Sequence, residues 1–105
     1  MSKEKKSAAA RSRKKEASFT LAAVLDAPQG MELHTALTPL LDDVAPVILN
    51  AAKVERADTL ALQVLLAFVV TRRVAGHAVE WSEVSAEFRH ASDLVGLSQS
   101  LGLVA

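Results

Sequence analysis

From residue 18 to residue 25 the chain alternates, with Phe19, Leu21, Ala23 and Leu25 separated by smaller or polar side chains. A period of two is the signature of a strand with one buried face. Asp26-Ala27-Pro28-Gln29-Gly30 then predicts a turn. Beyond it the period lengthens: Leu33, Leu37, Leu40, Leu41 and Val44 recur at the spacing that gathers side chains on one face of a helix. Pro39 falls inside that face. Because a proline in a helix interior costs about 3 kcal/mol, the helix is expected to kink there or to restart with Pro39 in its first turn.

Pro46 to Ala52 is a short, nearly continuous apolar run, the pattern of a strand buried on both faces and therefore central in its sheet. A charged connector, Lys53 to Ala57, follows. From Asp58 to Gly76 the chain predicts a second helix, with Arg72 and Arg73 near its end where cations suit the dipole. His77 to Ser82 alternates again and includes Val79 and Trp81, so it predicts a third, half-exposed strand. Ser85 is then placed to cap a third helix, with Glu87 in the first turn, Phe88, Ala91 and Val95 on one face, and Gly96 at the stop. Strand and helix alternate three times within 90 residues, which predicts an α/β fold with right-handed crossovers and helices packed on a small sheet.

The 105 residues suit one core, and 50% hydrophobic with 23% charged side chains is an ordinary globular composition. Charge is unevenly spread beneath a formal net of zero. Residues 1–16 hold seven Lys and Arg against Glu4 and Glu16, so the rest of the chain is as acidic as its start is basic. Residues 1–17 lack apolar periodicity and are expected to form a flexible basic tail, with the folded domain spanning 18–105. Such a tail can attract nucleic acid or anionic lipid through its charge. It has no aromatic side chain on which a base could stack, so no specific nucleic-acid partner is expected. No run approaches the length of a transmembrane helix, and no apolar stretch with a cleavage site follows the basic start. With no cysteine in the chain, the expected setting is the cytoplasm.

Candidate chemistry concentrates where the connector meets the second helix, at RADTLALQVLL. Asp58 and Thr59 are both good cap residues, yet one cap suffices, which leaves the other oxygen projecting from the end of a βα connection, the usual place for recognition in α/β folds. A phosphoryl group on Thr59 would sit favourably at the positive end of the helix. Beside Asp58 it would also repel the neighbouring carboxylate and change what a partner meets, so the pair can act as a charge switch. Leu60 and Gln63, three residues apart beside Thr59, extend the expected contact.

VILNAAKVERADTLALQVLLAF, followed by AGHAVEWSEV and DLVGLSQSLGL, resembles the STAS domain family over residues 18–103. That family includes anti-sigma factor antagonists, the STAS subunit of bacterial phospholipid transporters, and STAS proteins of chemotaxis and signalling clusters. The resemblance implies a small mixed β-sheet with helices packed on it. It also implies that Asp58 matches the family's acid and Thr59 the hydroxyl that partner kinases phosphorylate in the antagonist branch. The family commonly carries Ser or Ala and then Gly next; here Leu60 and Ala61 stiffen the helix start and add apolar surface. A threonine at the hydroxyl position is similar to the transporter subunits and to many signalling members.

The expected function is thus a non-catalytic protein-interaction module, docking through Arg56, Asp58, Thr59, Leu60 and Gln63. Its partner would be a serine/threonine kinase-like or other signalling regulator, or alternatively the ATPase of a phospholipid-type ABC transporter. Enzyme chemistry is not expected. His34, His77 and His90 lack ligand spacing, the four glycines are isolated, and Asp42-Asp43 fits solvated charge at a helix end. Neither metal nor cofactor is implied. Trp81 is expected to be a half-buried strand residue.

Overall fold

The computed structural model describes residues 16–103. In chain order it comprises β1 (Ala17–Thr20), β2 (Val24–Leu25), α1 (Ala27–Leu37), a 3₁₀ turn (Thr38–Leu40), β3 (Val47–Ala51), β4 (Arg56–Ala57), α2 (Thr59–Val74), β5 (Val79–Val84), α3 (Ala86–Leu94) and α4 (Ser98–Leu101). The fold is α/β, and β3 is central as the apolar run required, in a three-stranded sheet of order β1-β3-β5. Ala17 pairs with Val47, and Val47 with Val79. Every pairing among the described strands is parallel where a mixed sheet was expected. Helices α1 and α2 account for this: each returns the chain to the same end of the sheet before the next long strand begins. Val47, Leu49 and Ala51 are wholly buried and meet Leu62, Leu65 and Val69 of α2 and Phe88 of α3 in one core.

The predicted first strand is in fact two. Leu21 N–H donates to Asn50 O, the last bond toward β3, and Ala23 O accepts from the Glu55 and Arg56 N–H groups, so the chain crosses to β4 and builds a separate two-stranded ladder. β1 also begins one residue earlier than the predicted strand, at Ala17; the expected basic tail up to residue 15 lies outside the described residues. The expected turn at 26–30 is instead the start of α1. Asp26 Oδ1 accepts from Gln29 N–H at 3.2 Å, and Pro28, with its preset φ, sits in the first turn where no backbone donor is missed.

Pro39 ends the helical face early by restarting the chain in the 3₁₀ turn, so Val44 is not on α1 and stands 82% exposed. The third strand lies two residues later than the pattern suggested, at Val79–Val84. Trp81 is half-buried there, its Nε1–H donating to Leu101 O at 2.9 Å and its ring 5.3 Å from that of Phe88. Ser85 caps α3 as expected, accepting from Phe88 N–H at 3.0 Å while its hydroxyl donates to Val54 O at 2.6 Å.

The far end of α2 is held by Arg72, in the last turn as the sequence suggested. It is fully buried, and its guanidinium donates to four backbone carbonyls, Leu40, Asp43, Ala45 and Ala78, at 2.6–2.9 Å. One side chain thereby fixes the loops entering β3 and β5. Burial lowers its pKa from the ordinary arginine value and nearby Asp43 opposes the shift; an arginine remains charged at neutral pH all the same. Among the described residues no helix is long and apolar enough to cross a membrane.

Candidate functional site

The opposite end of α2 is set by the smaller sheet. Pairing of Val24 with Arg56 and Leu25 with Ala57 aligns two parallel strands so that each is followed at once by a helix. Asp26 and Asp58 therefore occupy equivalent places, the N-caps of α1 and α2. Asp58 N–H donates to Leu25 O at 2.9 Å, which pins the connection from β4 to α2 against β2.

The two acids do different work. Asp26 caps its own helix and has its other oxygen 4.0 Å from Arg56 Nη2, with the two side chains 37% and 65% exposed. A pair so open to water contributes little stability. Asp58 has the extended backbone of a cap, φ −78° and ψ 160°, yet its carboxylate makes no capping bond. The expectation that one of these oxygens caps α2 therefore fails at Asp58, and Thr59 is already the first helical residue. Asp58 and Thr59, at the N-terminus of α2, are both exposed.

Leu60 and Gln63 share this exposure, Leu60 at 40%. Helix α1 approaches closely here. Gly30 is buried in α1, and a Cβ built on it would lie 3.5 Å from Ala61 Cα and from Leu60 Cγ. A glycine inside a helix costs about 1 kcal/mol relative to alanine, and a methyl at position 30 would make only ordinary van der Waals contact with α2. Ala61 is the matching small residue, wholly buried on the α2 side. On the outer side of the same α1 turn, Met31 is 64% exposed.

The structure thus brings Arg56, Asp58, Thr59, Leu60 and Gln63 to one accessible corner. Sequence reasoning missed Gly30 and Asp26 as neighbours of these residues. The signal that could have found them was Asp26 three residues before Gln29 with Pro28 between, a helix start mistaken for a turn.

Among the described residues no group of three His, Cys, Asp or Glu side chains could hold a metal ion. A groove between α1 and α2, about 180 Å³, is lined by His34, Leu37, Val64 and Phe68 among others. What the corner offers chemically is a neutral hydroxyl at a helix N-terminus, one carboxylate, and an apolar rim. A family model described as "Mlab, STAS domain" matches residues 8–105. No curated protein matches the chain.

Proposed function

Because the chain belongs to the STAS domain family, we propose that it is a non-catalytic docking module whose contact with a protein partner is built from Arg56, Asp58, Thr59, Leu60 and Gln63. The observation that carries this reading is the unused corner: an N-cap acid that does not cap, followed by an exposed threonine and an exposed leucine. A side chain needed only for the fold would be turned inward or bonded to the backbone. Apolar surface beside uncommitted polar groups suits a protein partner, which can cover the first and pair the second.

In this reading the partner is a signalling regulator with a serine/threonine kinase domain, as for the anti-sigma factor antagonists that the sequence resembles. The kinase transfers a phosphoryl group from its nucleoside triphosphate to the Thr59 hydroxyl. The product is tolerated by the helix, whose first N–H groups stabilise added negative charge. It places nearly two charges beside Asp58 and next to Leu60, so the partner meets a repelling, hydrated corner and leaves. Phosphopeptide mass spectrometry of the protein from its native cells tests the switch: modified Thr59 under some growth condition is expected, and its absence under all conditions would remove the kinase from the account.

A second reading is favoured by Leu60. A leucine at a position where the family commonly has a small residue adds permanent apolar area, which suits lasting association better than a reversible switch. The protein would then be a STAS subunit steadying the ATPase of a phospholipid-type ABC transporter, with Thr59 a docking group that is never modified. Co-purification with an ATPase, unaffected by phosphatase treatment, is its expected outcome.

A further inference from the structure

Among the described residues, the large apolar side chains with the greatest exposure are Val74, Val44 and Leu94, at 84%, 82% and 73%. All three lie at the end of the fold away from the Asp58 corner. Val74 closes α2, Val44 stands in the loop that enters β3, and Leu94 closes α3, which leaves the far end of β5 and runs back toward α4. Two arginines tie these pieces together. Arg72 donates to Asp43 O and Ala45 O on either side of Val44, and Arg73, beside Val74, donates to Ser100 O of α4. The chain also enters the fold here: Ala17 N–H donates to Pro46 O at 2.9 Å, two residues from Val44. The residues before it, 1–15, hold seven Lys and Arg against a single Glu.

We propose that this end of the protein rests on a membrane surface carrying anionic lipid, with the basic segment supplying the attraction and Val44, Val74 and Leu94 entering the interface. Charge narrows the occupant to a polyanion, since seven cations attract lipid phosphate and nucleic acid alike. The apolar tips then decide between the two. Nucleic acid offers a protruding valine nothing to bury in, whereas the boundary between headgroups and acyl chains receives apolar side chains favourably. A protein partner would cover a continuous apolar area. Here the tips come from three separate elements, with Asp42 and Asp93 exposed on the same segments.

The formal net charge of zero does not cancel this attraction, because at 0.1 M salt a charged surface is felt only within about 10 Å. Helix α2 has 16 residues and is about 24 Å long, so Asp26, Glu55 and Asp58, at its other end, stand beyond that reach. Asp42, Asp43 and Asp93 do not. They make the folded residues alone repel the same lipid, so the basic segment is required to overcome them, and a single weak signal gives only marginal membrane binding. Association is therefore reversible and sensitive to salt. It turns Asp58, Thr59 and Leu60 away from the bilayer, which leaves lipid binding and partner docking independent of each other.

Flotation of the full chain with vesicles of phosphatidylcholine mixed with anionic phosphatidylglycerol tests this. The chain is expected to float with them at low salt, to be released at high salt, and to ignore pure phosphatidylcholine. Arg11→Gln, Arg13→Gln, Lys14→Gln and Lys15→Gln combined should weaken binding by about a hundredfold or more, at about fivefold for each cation near the surface. Val44→Gln with Val74→Gln leaves every charge in place and should weaken it about tenfold. Met31→Gln, at an exposed apolar position on α1 near the opposite end, should bind as the unmodified chain does, and so should Thr59→Glu, which separates lipid binding from the docking corner. Since the chain has no cysteine, a polarity-sensitive dye on Val44→Cys, Val74→Cys or Met31→Cys reads insertion directly: its emission should shift to the blue with anionic vesicles at positions 44 and 74 only. Failure of the full chain to float, equal binding by the valine and methionine variants, or a dye shift at position 31 as large as at 44 would overturn the proposal. So would a single-stranded oligonucleotide held as tightly as vesicles of equal phosphate content.

Discussion

Ser85 and Asp58 stand at equivalent positions before α3 and α2, and only Ser85 caps. Removing each separates a structural side chain from a functional one. Ser85→Ala loses the bond from Phe88 N–H and leaves Val54 O without its hydroxyl donor, so stability should fall by about 1–2 kcal/mol. In a domain of this size that lowers the thermal midpoint by about 4–8 °C for each kcal/mol. Asp58→Ala loses no such bond, and calorimetry should find its midpoint nearly unchanged. A fall as large as that of Ser85→Ala would return Asp58 to a purely structural role. Arg72→Met removes a donor from four carbonyls at the other end of α2, of which Leu40 O and Ala78 O keep bonds from Asp43 and Val47 N–H, and chemical denaturation should show a loss of about 3 kcal/mol. At this scale the sequence placed Asp58 and Thr59 at the start of α2, because Asp and Thr at a helix start carry local signals. It did not reveal the burial of Arg72, since nothing local distinguishes an arginine in water from one whose four acceptors lie 6 to 32 residues away.

For the elements, the decisive contact is that of α1 with the first turn of α2. Gly30→Ala adds a methyl at ordinary van der Waals distance from Ala61 and Leu60 and should leave stability nearly unchanged or raise it by up to about 1 kcal/mol, since alanine is the better helix former. Gly30→Leu adds three further carbons where no room exists and should push α1 from α2, lowering stability by about 1–3 kcal/mol. Because Leu60 flanks that contact, partner binding should weaken with it, which a binding assay beside the melting curve would reveal. Periodicity revealed the long elements α2 and β3 because each satisfies one period throughout. It failed where two signals overlapped: Phe19 to Leu25 keeps a strand period while its backbone bonds pass from β3 to β4, and Asp26 to Gly30 has the composition of a turn while Asp26 and Pro28 start a helix. Short parallel pairs such as β2 with β4 leave no mark in the sequence, since two residues cannot display a period.

Over the whole molecule, α2 links the two ends of the fold. Its C-terminal end is clamped by Arg72, its N-terminal end follows the small sheet, and its exposed residues include no acid. The acidic excess of residues 17–103 makes attraction to the basic residues 1–15 sensitive to ionic strength. If docking uses the α2 corner and not the basic segment, a chain lacking residues 1–15 should bind its partner equally well at low and moderate salt. The most direct test of the docking corner is photo-crosslinking in native cells, with a photoreactive residue at position 63 and, as control, at the exposed position 87 on α3. The account predicts one discrete protein adduct from position 63, absent from position 87, and abolished by Thr59→Glu although the thermal midpoint does not move. An adduct formed equally from both positions, or one that survives Thr59→Glu, would contradict it.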